Sequence, residues 1–295
     1  MKKLFGNKDI PMKTPLGTVW QALWIVVVLV VASPVQGQPN QAIGQITTFA
    51  HVPATPGFPE GIAVHGNNVF VSGPARFGTA GTGPSAIAVY NRKTGQLIQS
   101  ITVQGEATQF EHALSNIAID GQGDIFTLST QLGLLRFSKQ GQQYVQHAFG
   151  NPLPDLPSYL NAAPGQSSSP TVIDFPPLPN DIVFDEQGFV YVTDSLQATI
   201  FRYSPAGGQP VIWFQSELLA GGGFIPFGPN GIRLDPKREW VYFASTTSFL
   251  DANLGTIYRL PLVNHPNAND LEIVHQYTQG EAPDQLAFGA KGKLY

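Results

Sequence analysis

One pattern recurs five times along the 295 residues and constrains the fold more than any other feature of the chain. A polar residue, usually preceded by proline, is followed by an apolar strand, a turn rich in Asp, Gly or Asn, and a second alternating strand. The copies begin at Pro59-Glu60, Ser115-Asn116, Pro179-Asn180, Pro229-Asn230 and Pro283-Asp284. Strand-like runs on both sides of such a turn specify a β-hairpin. In the first four copies a third strand follows, at Ala86–Tyr90, Gly133–Phe137, Thr199–Tyr203 and Thr256–Leu260, and a fourth is legible at Gln96–Val103 and Pro210–Phe214. Four short strands repeated at steps of 56, 64, 50 and 54 residues describe the blades of an all-β propeller, six-bladed when complete. A β-sandwich or β-helix is the rival fold. A sandwich has no reason to place the same type of polar residue ahead of the same strand in successive units, whereas stacked repeats do so automatically. The longest step holds a Pro-rich insertion between Asn151 and Pro179, read as a surface loop or as a lid over the channel mouth.

Only 12% of residues are charged, while Gly and Pro number 31 and 25, which suits short strands joined by turns. A net charge of −4 offers no basic stripe for phosphate, so nucleic acid is not expected as a partner. Cysteine is absent, which removes disulfides, thiolate metal sites and Cys nucleophiles together. Lysines at 2, 3, 8 and 13 precede an apolar run over 22–32, then Pro34 and small residues to Gly37. That order is how an export signal is built, with residues 1–37 as the signal and 38–295 as the propeller domain. The run is about half the ~20 residues of a permanent span, so membrane contact is expected only if the signal stays uncleaved. In both cases the domain lies outside the cytoplasm, secreted or periplasmic.

In a propeller the first strand of each blade lines the central channel, so equivalent positions at its start form a ring at one mouth. That ring is expected to be Glu60, Asn116, Asn180, Asn230 and Asp284. Carboxylates and amides supply only oxygen toward a cation, which suits calcium or another hard divalent ion. No His or Cys stands at these positions, which disfavours zinc. The competing reading is that these residues cap strand starts, as Asn and Asp do beside turns. Carboxylates facing each other across a dry channel would be costly without a cation.

Pro59-Glu60-Gly61, Asn180-Asp181, Pro229-Asn230-Gly231 and Pro283-Asp284 resemble the signature of the gluconolactonase and regucalcin family. Asn180-Asp181-Ile182-Val183 is also similar to a segment of the paraoxonases. The resemblance spans about residue 58 to the C-terminus. It implies a six-bladed propeller with a divalent ion on Glu60, Asn180, Asn230 and Asp284, hydrolysis of lactones or related esters, and Asp284 as both ligand and general base. Two positions depart from the pattern. Sugar-lactone members have arginine where this chain has Leu178, and the paraoxonase histidine would fall at Asn116. A sugar acid is therefore not the expected substrate, and a neutral, fairly apolar lactone or ester is. Asn116, His112, four residues ahead of it, and Asp181 are the substrate-contact candidates. Gly78–Gly83 lacks phosphate-loop spacing, and no Gly-x-Ser-x-Gly elbow exists.

The expected activity is thus an exported calcium-dependent hydrolase in which the ion polarises a carbonyl and Asp284 activates water. The alternative is a non-catalytic exported propeller that binds a ligand or protein partner and carries a structural ion. A synthase of the strictosidine type shares the propeller without the metal ring. The fifth copy runs out at Tyr295 in its second strand, so the sequence is expected to be a propeller truncated within its fifth blade.

Overall fold

The computed structural model describes residues 46–53, 58–224, 226–249, 254–278 and 280–295. The expected export signal lies outside the described residues. Among the described residues no helix is long and apolar enough to cross a membrane.

Sixteen strands form four consecutive antiparallel meanders. The first is β1 (Gly61–His65), β2 (Asn68–Gly73), β3 (Ala86–Asn91) and β4 (Leu97–Thr102). The second is β5 (Leu114–Ile119), β6 (Ile125–Ser129), β7 (Gly133–Gln140) and β8 (Gln143–Gly150). The third is β9 (Pro179–Phe184), β10 (Val190–Asp194), β11 (Thr199–Ser204) and β12 (Gly207–Gln215). The fourth is β13 (Pro229–Leu234), β14 (Trp240–Ser245), β15 (Thr256–Pro261) and β16 (Glu272–Gln276). The fifth copy forms a short hairpin in which Ala287 and Tyr295 exchange backbone hydrogen bonds. One parallel bridge, Gly150 to Gly208, joins the outer strands of the second and third sheets into an eight-stranded sheet.

The second and third sheets are hydrophobic on both faces because each is sandwiched between neighbours. In β6, Ile125 packs with the first sheet's Phe70 and Ile87, while Phe126 and Leu128 pack with Val190 and Phe201 of the third. In β10, Tyr191 turns the other way, toward Ile232 and Phe243 of the fourth. The period-2 alternation of a strand thus feeds two cores at once. Burying each such Phe, Ile or Leu contributes roughly 1.5–3 kcal/mol. Cores lying between successive four-stranded meanders, with the first strands side by side, are the construction of propeller blades.

The insertion after β8 is a folded loop. Leu153 and Leu156 are buried in the core between the second and third sheets. Gln197 holds its base, accepting from Leu156 N at 2.6 Å and donating to Pro154 O at 3.1 Å. Arg76, from the β2–β3 connection, donates to Pro177 O at 3.0 Å. The segment expected as a loop or a lid is therefore clamped at both of its ends.

Candidate active site

Pairing registers fix which residues are equivalent. Leu114, Pro179 and Pro229 sit opposite Ser129, Asp194 and Ser245, and three residues on Ile117, Ile182 and Ile232 resume the ladder after a bulge. This places Ser115, Asn180 and Asn230 at one level and Asn116, Asp181 and Gly231 one residue deeper. The expected ring therefore shifts by one residue in the second sheet, where Ser115 and not Asn116 stands beside Asn180. The second copy is one residue shorter between its polar residue and its turn, so aligning on Asn misplaces it by one step. The outer level is Glu60, Ser115, Asn180, Asn230 and Asp284, and the inner level is Gly61, Asn116, Asp181, Gly231 and Gln285.

Hydroxyls stitch neighbouring units at this end. Ser72, Ser115, Ser195 and Thr246 donate to the carbonyls of Ser115, Pro179, Pro229 and Pro283, at 2.7, 2.5, 2.7 and 2.9 Å. The inner-level glycines allow this approach. A Cβ on Gly61 would come within 2.7 Å of Asn116, and one on Gly231 within 2.3 Å of the Asp284 carbonyl.

The inner level is a closed hydrogen-bond network. Asp181 is fully buried, and its Oδ1 accepts from Ile182 N at 2.7 Å and from the Asn116 amide. Its Oδ2 accepts from Ile232 N at 2.7 Å and from Arg233 Nη1 at 2.5 Å. Gln285 Oε1 accepts from Asn116 at 3.0 Å and from Arg233 at 3.2 Å. Burial raises the Asp181 carboxyl above its usual range, opposed by the Arg233 charge and the backbone donors. Asn116 and Asp181, expected to touch substrate, here spend their polar atoms on each other and on the strands.

The outer level is satisfied only in part. The Oδ1 atoms of Asn180 and Asn230 are buried and accept no hydrogen bond, although Asn230 Nδ2 donates to Thr246 at 2.8 Å. Buried carbonyl oxygens without partners are rare in native folds and ask for a ligand. Glu60 is held above its usual pKa by burial and then by the negative charges of Asp284 and Asp181. Asp284 is raised by burial and by Asp181, while its side chain remains open to solvent. The protein behind Asp284 removes water from one side and leaves the other free. Carboxylates held above their usual range by burial and by neighbouring negative charge, and amide oxygens lacking donors, are together the chemistry of a hard-cation site. Among the described residues no three His, Asp or Glu cluster closely enough to hold an ion alone, so such a site must draw on the amides.

Two sequence candidates find other roles. His112 is fully buried, with Nδ1 2.9 Å from Phe110 O and Nε2 3.0 Å from Gly83 O, so both ring nitrogens face backbone carbonyls. Leu178 is buried, its N–H donating to Asp194 at 3.2 Å, and it belongs to the core. Arg233 was missed by sequence reasoning. Its signal is a charge in a first strand where the other copies carry apolar residues. A cavity of about 740 Å³ runs along the first strands from Arg233, beneath the inner level, to Asp120, Asp185, Arg136 and Arg238 at the far end of the sheets. Arg136 is already paired with Asp124, and Arg238 donates to Phe184 O at 2.8 Å. Unmet hydrogen-bonding capacity, not volume, directs attention to the Glu60 end.

No protein-family model matches the chain, and no curated protein matches its sequence. Solved structures that match include virginiamycin B lyase from Staphylococcus aureus, at 15% identity and a TM-score of 0.48, over 80% of this chain and 61% of that one. A nidogen/laminin complex matches at 16% identity and TM-score 0.46, over 73% and 66%. A 6-phosphogluconolactonase candidate from Bacteroides fragilis matches at 17% and 0.44, over 79% and 61%. The chain thus spans about three fifths of the lyase it matches.

Proposed function

We propose that this chain is an exported, divalent-cation-dependent hydrolase of lactones or related esters, with Glu60, Asn180, Asn230 and Asp284 as the cation ligands. The observation that supports this most is the pair of buried, unpartnered Oδ1 atoms on Asn180 and Asn230, set at the level of two carboxylates of raised pKa. Calcium, or another hard divalent ion, would supply Lewis-acid polarisation of the scissile carbonyl when bound.

The chain's own residues account for the rest. Asp284 takes the proton of the attacking water, since a raised pKa makes it a better base than an ordinary aspartate. Asn116, Asp181, Gln285 and Arg233 position the outer level by fixing the strand starts from beneath. The N-terminal segment supports an extracytoplasmic setting through its charge and apolar order.

A panel of lactones and aryl esters, assayed with calcium and with chelator, tests the reading. Chelation and Glu60→Gln should each lower kcat/KM by about 100-fold or more, as expected when a polarising group is lost. Activity indifferent to both would refute it.

A further inference from the structure

We infer that a small apolar pocket beside the Glu60 end takes an unbranched aliphatic chain carried by the substrate, and this rests on the hydrolase reading of that end. In each meander the β-strand connections alternate between the two ends of the sheet. Those joining second to third strands, and one sheet to the next, emerge where Glu60 and Asn230 lie. These connections expose Phe58, Phe77, Phe110, Ile173, Phe224 and Phe249, each more than half exposed. Among the described connections at the other end no large apolar side chain is more than half exposed, Val263 at 48% coming nearest. Apolar surface gathered on one face marks a place where something binds.

The charge pattern narrows what that is. Among the described connections at this end Arg76 is the one Lys or Arg, and its guanidinium is committed to Pro177 O and lies 5.9 Å from the Phe77 ring centroid. Neither an anionic headgroup nor an acidic peptide finds a partner there. Within this face the insertion and the β12–β13 connection enclose a cavity of about 100 Å³, walled by Val172, Ile173, Phe175, Leu196, Ala220 and Phe249. None of its walls is ionisable, and beside the apolar side chains only the Thr171 hydroxyl and the backbone of Gly221, Gly222 and Gly223 line it, so an apolar group loses least on entering. Its volume is well below the ~300 Å³ that a whole drug-sized ligand needs, so it suits one arm of a ligand.

The walls are bonded to the site itself. Leu196 follows Ser195, whose hydroxyl donates to Pro229 O at 2.7 Å, next to Asn230. Gly228 N donates to Ser195 O at 2.8 Å, and Phe249 N donates to Ala220 O at 2.7 Å. The pocket wall at Leu196 is thus tied, through Ser195, to the strand start that carries Asn230.

The test uses 1-butanol through 1-octanol as inert probes, with binding to the full chain read by ligand-observed NMR. Affinity should rise roughly three- to fourfold per methylene until the pocket fills. Val172→Asn and Ile173→Asn, at partly exposed positions that keep the fold, should each weaken octanol at least tenfold, while Asp284→Asn leaves it unchanged. The same two variants should lower kcat/KM for octanoyl esters and spare acetyl esters. No saturable alcohol binding, or no dependence on chain length, would overturn the inference. So would loss of phosphatidylcholine-vesicle binding in these variants without any alcohol binding, which would assign the face to a lipid surface. Alcohol binding as described with no ester turned over would leave the pocket standing and remove the hydrolase reading.

Discussion

At the end of the sheets away from Glu60, three aspartates close the hairpin turns by accepting backbone hydrogen bonds. Asp120 accepts from Gln122 and Asp124, Asp185 from Gln187 and Phe189, and Asp235 from Glu239 and Trp240, all at 2.7–2.9 Å. At the Glu60 end, Asn180 and Asn230 occupy equally local positions and their Oδ1 atoms accept nothing. A residue that caps a strand start would bond to a nearby N–H, as Asn116 does with Ile117 at 2.8 Å. The comparison separates two uses of the same short polar side chains. Caps are satisfied within their own turn, whereas the outer-level amide oxygens of Asn180 and Asn230 are left without partners.

The largest test of this contrast is beneath the site. Asp181→Ala should cost about 3–5 kcal/mol in urea unfolding, because it leaves Arg233 and two backbone N–H groups without their buried acceptor. Asn180→Leu should do the reverse in calcium-free protein. Removing an orphaned acceptor, which costs about 1–3 kcal/mol when buried, should leave the melting temperature unchanged or raised, and should abolish any rise on adding calcium. Asp185→Ala belongs to the other end. It should lower stability by about 1–3 kcal/mol with and without calcium, since its loss opens a turn and leaves the buried Tyr191 hydroxyl without its acceptor.

The smallest effect is a pH dependence. Glu60 and Asp284 have folded-state pKa values above their unfolded ones, so their contribution favours folding below the unfolded pKa and is lost as pH rises through the folded value. Calcium-free protein should therefore lose stability on going up through the carboxylate range, and calcium should cancel that loss. Calcium affinity should fall as pH drops into the same window, with proton release on binding measurable by calorimetry in two buffers.

Much of this architecture was legible in the chain. The strand positions followed from alternation and turn residues, and the third strands expected at Ala86–Tyr90 and Thr199–Tyr203 lie within β3 and β11. Glu60, Asn180, Asn230 and Asp284 were identifiable because the repeat places them at equivalent strand starts. The one-residue shift at Ser115 was overlooked although the spacing carries it, since Asn116 stands four residues before its turn aspartate and Asn180 and Asn230 stand five. The Asp181–Arg233 pair was hidden. Its members are 52 residues apart in different sheets, and only the packing of β9 against β13 brings them together. His112 looked available from its sequence distance to Asn116, but its ring is enclosed between two loop carbonyls.

A crystal structure of the protein grown with calcium is the most direct measurement of the whole account. It should contain a single ion with oxygens of Glu60, Asn180, Asn230 and Asp284 at about 2.3–2.6 Å, the two amide oxygens now partnered. An ion bound elsewhere, or Asn180 and Asn230 with their Oδ1 atoms unchanged and no ion between them at saturating calcium, would contradict it.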